Sequence, residues 1–382
     1  MNVIGIICEL NPPHLGHKHL FDFAREIAVS RTENRAEDSA VVAVMSGNFV
    51  QRGEPAIFTK HRRTAAALMS GVDLVLELPL PYALSSAEGF AAAGVAILNA
   101  TGAVDTLAFG AECGNIELLS RAAAALELPE CIERLQQELK SGKSYARACQ
   151  AALEATLGEV AAVLESPNNM LGIQYLRAIS TGGSKMDAIC IKREPGIAAS
   201  GLRNALRGGE KAPEGMLAAD YGEPIFPKNL EIAMLSRIRA PSNDAYFKAP
   251  GASDGIAERA LRLGTGAGSI EELAQAIKTK RHTLSRVRRY LMCLALGITD
   301  DYPITPPYIR ILGANETGRE LLKSMDVTLP IITKSADGRR LGGEVQRMLE
   351  LEAASTDFYK LGYKTPELRQ GGAEWRISPV ML

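Results

Sequence analysis

A doubly wound α/β domain followed by a helix-rich region is the fold this sequence predicts, on three observations. Short apolar runs alternate with helix-spaced stretches through residues 1–110. A loop-rich stretch holding Pro213, Pro224, Pro227, Pro241 and Pro250 follows, and helical spacing behind a capped start resumes at Ser269. At 382 residues the chain suits two domains, with a boundary expected near 210 and the second domain over 211–382. Lys+Arg total 43 against Asp+Glu 44, so nucleic-acid contact requires a local patch rather than overall charge.

The elements follow in order. Val3–Cys8 is too short for a helix and fits a buried strand, and His17–Ile27 then places Leu20, Phe21, Ala24 and Ile27 at helical spacing. Val41–Met45 is a second strand, ended by Ser46-Gly47-Asn48. Thr59–Ser70 reads as helix, Leu74–Leu78 as strand, Ala87–Asn99 as helix and Thr106–Phe109 as strand, closing at Gly110. This alternation implies a parallel sheet with helices on both faces, whose ligands sit beyond the carboxyl ends of the strands. Residues 115–180 are Ala-rich and read as an insertion of two or three helices. Met186–Lys192 returns to strand, and Ser200–Leu206 starts a short helix. Ser269 with Glu272 three residues on makes a capping box, from which helix is expected to run towards Leu296. A smaller mixed segment, Tyr308–Leu351, precedes a polar tail in which Trp375 has no evident partner.

Cys8, Cys113, Cys131, Cys149, Cys190 and Cys293 lie far apart with no C-x-x-C pair, so neither a disulfide framework nor a zinc site is expected. That usage fits a reducing cytoplasm. Glu9 interrupts the first apolar run, so no signal peptide is expected, and no run of 18 apolar residues suggests a membrane span.

The chemistry concentrates after the first strand, in Glu9-Leu10-Asn11-Pro12-Pro13-His14-Leu15-Gly16-His17. Two prolines fix the turn, and two histidines open a helix whose free N–H groups and dipole suit a phosphate. Gly16 lets a ligand approach the backbone closely. Imidazole donors there would strengthen as charge builds on a pentavalent phosphorus. Surface histidines or a zinc clamp are the alternatives. With five His in the chain and no acidic or thiol partner beside the pair, metal ranks below phosphate.

His14-Leu15-Gly16-His17 resembles the H-x-G-H signature of the nucleotidyltransferase superfamily. The wider strings Glu9–His14, Val44–Pro55, Ser70–Pro79, Phe109–Glu112, Pro167–Gly172 and Lys192-Arg193 resemble the bacterial tRNA(Met) cytidine acetate ligases. More weakly, Lys280–Thr299 and Tyr308–Gly313 extend the likeness over most of the chain. The resemblance implies a Rossmann-like nucleotidyltransferase domain over 1–210. It implies formation of acetyladenylate from ATP and acetate, and acetyl transfer to N4 of the wobble cytidine of elongator tRNA(Met). His14 and His17 become the catalytic pair. ATP would be cradled by Ile7, Cys8, Glu9, Leu10, Asn11, Pro12, Pro13, His14, Leu15, Gly16, His17, Lys18, His19 and Leu20, with Gly110, Asn168 and Arg193 joining from later turns. Arg193 suits bidentate pairing with phosphate or carboxylate, and Asn168 suits an adenine edge or ribose hydroxyl. A plain turn after Pro167 is the other reading of Asn168 and Asn169. Magnesium would arrive on the ATP phosphates.

Departures from the family pattern are Leu10 and Pro13, where aromatics are usual, and Ala198, where a hydroxyl is usual; Ser200 and Arg203 remain to serve phosphate. The loop from Arg193 to Ala199 is also short. Elsewhere, Lys278, Lys280, Arg281, Arg286, Arg288 and Arg289 lie in a stretch without acidic residues and are the candidate RNA contacts. Lys60, Arg62 and Arg63 fit either an RNA-facing patch or plain surface charge. Gly313–Glu320 has P-loop glycine spacing but lacks the required Lys and Ser/Thr, and is rejected. A small-molecule or protein-thiol acceptor, or nucleotide and RNA binding without catalysis, are the rival functions.

Overall fold

The computed structural model describes residues 1–32, 35–193, 199–240 and 242–382. In chain order, β1 (Asn2–Cys8), α1 (Leu15–Ser30), β2 (Ser39–Ser46), the short hairpin β3 (Phe49–Val50) and β4 (Glu54–Pro55), α2 (Lys60–Met69) and β5 (Leu74–Leu78) build the first half of a sheet. Then come α3 (Leu80–Ala83), α4 (Ala87–Ala100) and β6 (Thr106–Ala111). Four helices, α5 (Ile116–Ala125), α6 (Pro129–Lys140), α7 (Tyr145–Leu157) and α8 (Pro167–Thr181), separate β6 from β7 (Asp187–Lys192), one more than the two or three expected.

The sheet runs β8-β5-β2-β1-β6-β7 through its centre, where β8 is Ile309–Ala314. Neighbours are parallel except β5 and β8. Chain order reverses about β1: β2 lies on one side and β6 on the other, which puts the topological switch point, where sheets of this kind bind ligands, at the carboxyl ends of β1 and β6. Side chains alternate across the sheet, as a strand's period of two requires. Val3, Ile7, Val42, Val44 and Leu76 face Phe90, Leu98, Leu119 and Ile173 on one side. On the other, Ile4, Ile6, Val41, Ala43 and Met45 face Phe21, Ala24 and Ala28 of α1 and Leu68 of α2. Each such aliphatic side chain contributes on the order of 1.5–3 kcal/mol of burial.

After α9 (Ala199–Arg207), the helices α10 (Glu231–Arg239), α11 (Asn243–Lys248), α12 (Ile256–Leu263), α13 (Ile270–Ile277) and α14 (Leu284–Leu296) share a second core around Met234, Ile238, Leu273, Ile277, Val287 and Leu291. The capped helix does not run unbroken to Leu296. Ser269 caps α13 through the Glu272 N–H, while the Glu272 carboxylate reaches back to the Gly268 N–H rather than to Ser269. Lys278–Thr283 then breaks the helix, and the Thr283 hydroxyl caps α14.

The remaining elements are α15 (Glu316–Ser324), β9 (Ile331–Ile332), α16 (Ser335–Gly338), α17 (Gly343–Lys360) and β10 (Val380–Met381). They correct the expected division at 210. β8, β9 and β10 belong to the sheet begun by residues 1–111, because β8 pairs with β5 while β9 and β10 pair with β8. Nor is the tail merely polar: Glu374 is buried, and the Arg339 guanidinium lies 3.8 Å from the centroid of the Trp375 ring.

The closure between sheet and tail is ionic. Lys60 Nζ lies 2.6 Å from Glu77 Oε1 and 2.8 Å from Glu374 Oε1, all three side chains being 2% exposed or less. Arg310, Ser335 and Thr356 complete the ring around Glu374 at 3.3, 3.2 and 3.0 Å. Burial pushes the Glu374 carboxyl up, but Lys60 and Arg310 outweigh it and hold it down to about 2. Lys60 is thus an interior cation and not part of a surface patch.

Candidate functional site

The turn after β1 is built from several anchors. The Asn11–Pro12 peptide is cis, and the Asn11 carboxamide oxygen accepts from the Ile57 N–H at 2.8 Å. His14 then caps α1. Its Nδ1 accepts from the Gly16 N–H at 3.1 Å, while His17 Nδ1 accepts from the His14 N–H at 3.2 Å. The rings lie 3.8 Å apart between centroids. Because each Nδ1 is spent as an acceptor, the proton of each neutral ring sits on Nε2, which is left as a donor. Gly16 is demanded by this arrangement: a Cβ there would stand 2.9 Å from His14 Cε1.

Electrostatics keep both rings neutral. Burial, then the Arg193 and Arg203 guanidinium groups, lowers His14 to about 4. Burial, then His14 and Arg193, holds His17 well below the usual imidazole range. A linkage follows. Below the ordinary imidazole value of about 6.5, an unfolded chain binds a proton at residue 14 that the folded chain refuses until about 4. The contribution of His14 to stability is therefore complete above that window and lost as pH falls through it. Asn at 14 still caps the helix but does not titrate. The unfolding free energy of wild type relative to His14→Asn should therefore drop between pH 6.5 and 4, read from urea curves. A pH-independent difference would refute the assignment.

The other anticipated residues divide by position. Arg193 leaves β7 against Gly110, where a Cβ would come within 3.2 Å of Arg193 Cγ, so the small residue makes room for the arginine. Arg203 of α9 donates to the Asn11 carbonyl at 2.9 Å. Asn168 opens α8 behind Pro167 at the first helical position, not a simple turn. Its Nδ2 donates to Glu112 Oε1 at 2.6 Å. Asn169 is buried, with its oxygen on the Cys113 N–H and its nitrogen on the Val163 carbonyl. Ile7, Cys8, Leu10 and Leu20 point into the cores, so they offer a ligand main chain only, and burial pushes the Cys8 thiol up to about 12. Lys18 pairs with Asp22 at 2.7 Å, and His19 and Ser200 are exposed. Ala198 lies outside the described residues, as does most of the short loop before Ala199.

Some residues were not anticipated. The Glu112 carboxylate caps α8 through the Asn168 and Asn169 N–H groups, and its place directly after a strand was the available signal. Residues 213–217, from the loop-rich stretch near the expected boundary, clasp the histidine turn: Leu15 N–H donates to the Gly215 carbonyl and Leu217 N–H to the Pro13 carbonyl. Arg63 is fully buried, contrary to either surface reading. The i, i+3, i+4 spacing of Lys60, Arg63, Thr64 and Ala67 places all four on one helix face, the face that is buried.

The basic stretch is partly spoken for. Arg286 pairs with Asp254 at 3.0 Å, Arg288 with Glu271 at 2.6 Å, and Arg289 donates to the Gln51 carbonyl at 3.3 Å. Lys278, Lys280 and Arg281 are exposed in the break between α13 and α14. A cleft of about 1120 Å³ between α9 and α10 has rim charges of both signs, Arg207, Lys211 and Lys228 against Glu210, Glu223 and Glu231, and does not include the histidines.

A crevice at a topological switch point, with two imidazole donors at a helix start and guanidinium groups around them, defines the α/β nucleotidyltransferase class. The chain belongs to the HIGH nucleotidyl transferase family, whose model matches residues 1–374. It is 34% identical, over the whole of both chains, to a tRNA(Met) cytidine acetate ligase of Acetivibrio thermocellus. A relative of the same name from Thermotoga maritima is 33% identical over 98% of this chain and 99% of its own. The crystal structure of Thermotoga maritima TmcAL bound with alpha-thio ATP superposes with a TM-score of 0.91 at 32% identity, covering both chains completely. Among the described residues, no helix is long and apolar enough to cross a membrane.

Proposed function

We propose that this protein is an ATP-dependent ligase that acetylates N4 of the wobble cytidine of elongator tRNA(Met) in the cytoplasm. The observation that carries the reading is end-to-end likeness to ligases of that name, in a chain whose histidine pair presents two Nε2–H donors at the switch point.

In the first step an acetate oxygen attacks the α-phosphorus of ATP. The bond from that phosphorus to the bridging oxygen breaks, and pyrophosphate leaves with the electron pair. Negative charge grows on the α-phosphoryl oxygens. Neutral His14 and His17 donate through Nε2–H, and Arg193 and Arg203 supply positive potential from the side they already occupy. Both rings are held by backbone N–H groups, so no reorganisation is needed as the charge appears. In the second step the cytidine amine attacks the acetyl carbonyl carbon, the bond from that carbon to the AMP phosphate oxygen breaks with its electron pair leaving on AMP, and the amine's proton passes to water. Magnesium reaches the site on the triphosphate, because phosphate oxygens and water are its ordinary ligands. Lys278, Lys280 and Arg281 are assigned to tRNA phosphates. Arg286 and Arg288 chiefly pair with Asp254 and Glu271 within the helical region, and Arg289 ties that region to the Gln51 carbonyl of the hairpin.

The test is incubation with ATP, magnesium, isotope-labelled acetate and unmodified tRNA, followed by mass spectrometry of the digested nucleosides. Labelled N4-acetylcytidine is expected. Pyrophosphate release without labelled RNA would transfer the reading to another acceptor. Absence of both would leave a binding protein.

A further inference from the structure

The carboxyl ends of β1 and β2 share an unusual support. β1 and β2 pair as far as Cys8 and Met45; β1 ends there, while β2 runs one residue further, to Ser46 opposite Leu78 of β5, so beyond Cys8 the two chains no longer pair with each other. Arg63, from the first turns of α2, fills that gap. Its Nη1 donates to the Glu9 carbonyl at 2.5 Å, its Nη2 to the Ser46 carbonyl at 3.1 Å and to the Gly47 carbonyl, and its Nε to the Phe58 carbonyl at 3.0 Å. The side chain is 0% exposed, and among the described residues no carboxylate bonds to it.

We propose that Arg63 is a positioning residue for the nucleotide turn: by fixing the Glu9 carbonyl against the end of β2 it sets where the chain leaves β1 and hence where His14 and His17 stand. The inference rests on the nucleotide reading of that turn. Two further observations support it. Leu10, directly after the clamped carbonyl, has φ of 50°, the left-handed region that costs a branched side chain about 1–2 kcal/mol. Such a residue persists only where its surroundings over-determine it. Leu10 is wholly buried on one side and Glu9 is held by Arg63 on the other. The Glu9 carboxylate, meanwhile, accepts from the Gln51 N–H at 2.6 Å, so both the main chain and the side chain of this residue are pinned.

Arginine is the residue suited to this task. Its planar fork reaches carbonyls of three separate segments at once, whereas lysine offers one point charge. Its buried charge is held by carbonyl oxygens, with the Glu9 and Glu77 carboxylates among the opposing charges. Positioning errors of about 1 Å cost roughly 10²-fold in rate.

The experiment compares wild type, Arg63→Lys and Arg63→Gln in the full chain. It measures thermal unfolding, ATP affinity, acetate-dependent ATP–pyrophosphate exchange and tRNA affinity. Arg63→Lys should fold, bind tRNA as wild type does, and lose roughly 10²-fold in kcat/KM for exchange, mainly in kcat. Arg63→Gln, which reaches fewer of the three carbonyl segments, should additionally bind ATP more weakly. An Arg63→Lys protein with exchange within about twofold of wild type overturns the proposal. So does one that fails to fold, or that loses tRNA affinity in parallel, since either makes Arg63 a general support. If wild type binds ATP but does not exchange, the ligase reading fails while ATP affinity still tests Arg63. If wild type does not bind ATP at all, the nucleotide reading itself has failed, whatever the variants do.

Discussion

His17→Ala is expected to lower acetate-dependent turnover by about 10²–10³-fold while leaving tRNA affinity within about twofold. The asymmetry comes from geometry. His17 Nδ1 is committed to the His14 N–H, so what the ring offers a ligand is the Nε2–H donor. A donor aimed at growing phosphoryl charge acts chiefly in the transition state, and its removal therefore appears in kcat more than in substrate binding. His17→Gln, which keeps an N–H donor, should fall between the two. The same substitution also removes the acceptor for the His14 N–H, so the alanine variant should lose part of the cap of α1, about 1 kcal/mol. Steady-state exchange kinetics beside filter binding of tRNA decide the matter. Equal losses in both would contradict the role.

The second large effect concerns stability. Lys60→Met should reduce the unfolding free energy by about 3–5 kcal/mol, because it leaves Glu77 without its counter-ion and Glu374 with Arg310 alone in a closed interior. That is a sizeable share of a total of about 5–15 kcal/mol. Glu352 is a further buried carboxyl beside the pair: burial, then Glu77, raises it to about 8. Adding Glu77→Gln to Lys60→Met should recover part of the loss by removing the carboxylate left without a counter-ion, while Glu374 keeps Arg310. Urea denaturation of the three proteins is the measurement, and an unmoved midpoint in the single variant would refute the cluster's importance.

These two residues also mark how far the sequence could be read. The histidine turn was legible because its chemistry is local. A strand, two prolines and a helix start within fifteen residues suffice to place His14 and His17 together, and the reciprocal cap lies within that span. The parallel sheet was legible for the same reason, since buried strands show as short apolar runs between helical periods. Lys60 and Arg63 looked like surface charge because their partners are distant in the chain. Glu374 lies 314 residues from Lys60, and the Ser46 and Gly47 carbonyls are main-chain groups that carry no residue signature.

The division into domains shows the same limit. Sequence by itself determined the α/β class, the switch-point turn with its two histidines, and the helix start behind Ser269, all properties of period and neighbour. Only the tertiary structure decided that β8, β9 and β10 return to the first sheet, that Glu374 closes over Lys60, and that Glu112 holds the start of α8 beside Gly110. Periodicity reports which face of an element is buried, and it does not report against what. An edge strand's partner, a buried charge's counter-ion and an orphan carbonyl's donor are settled by packing the whole chain, because an unpaired polar group in the interior costs more than any local preference can supply.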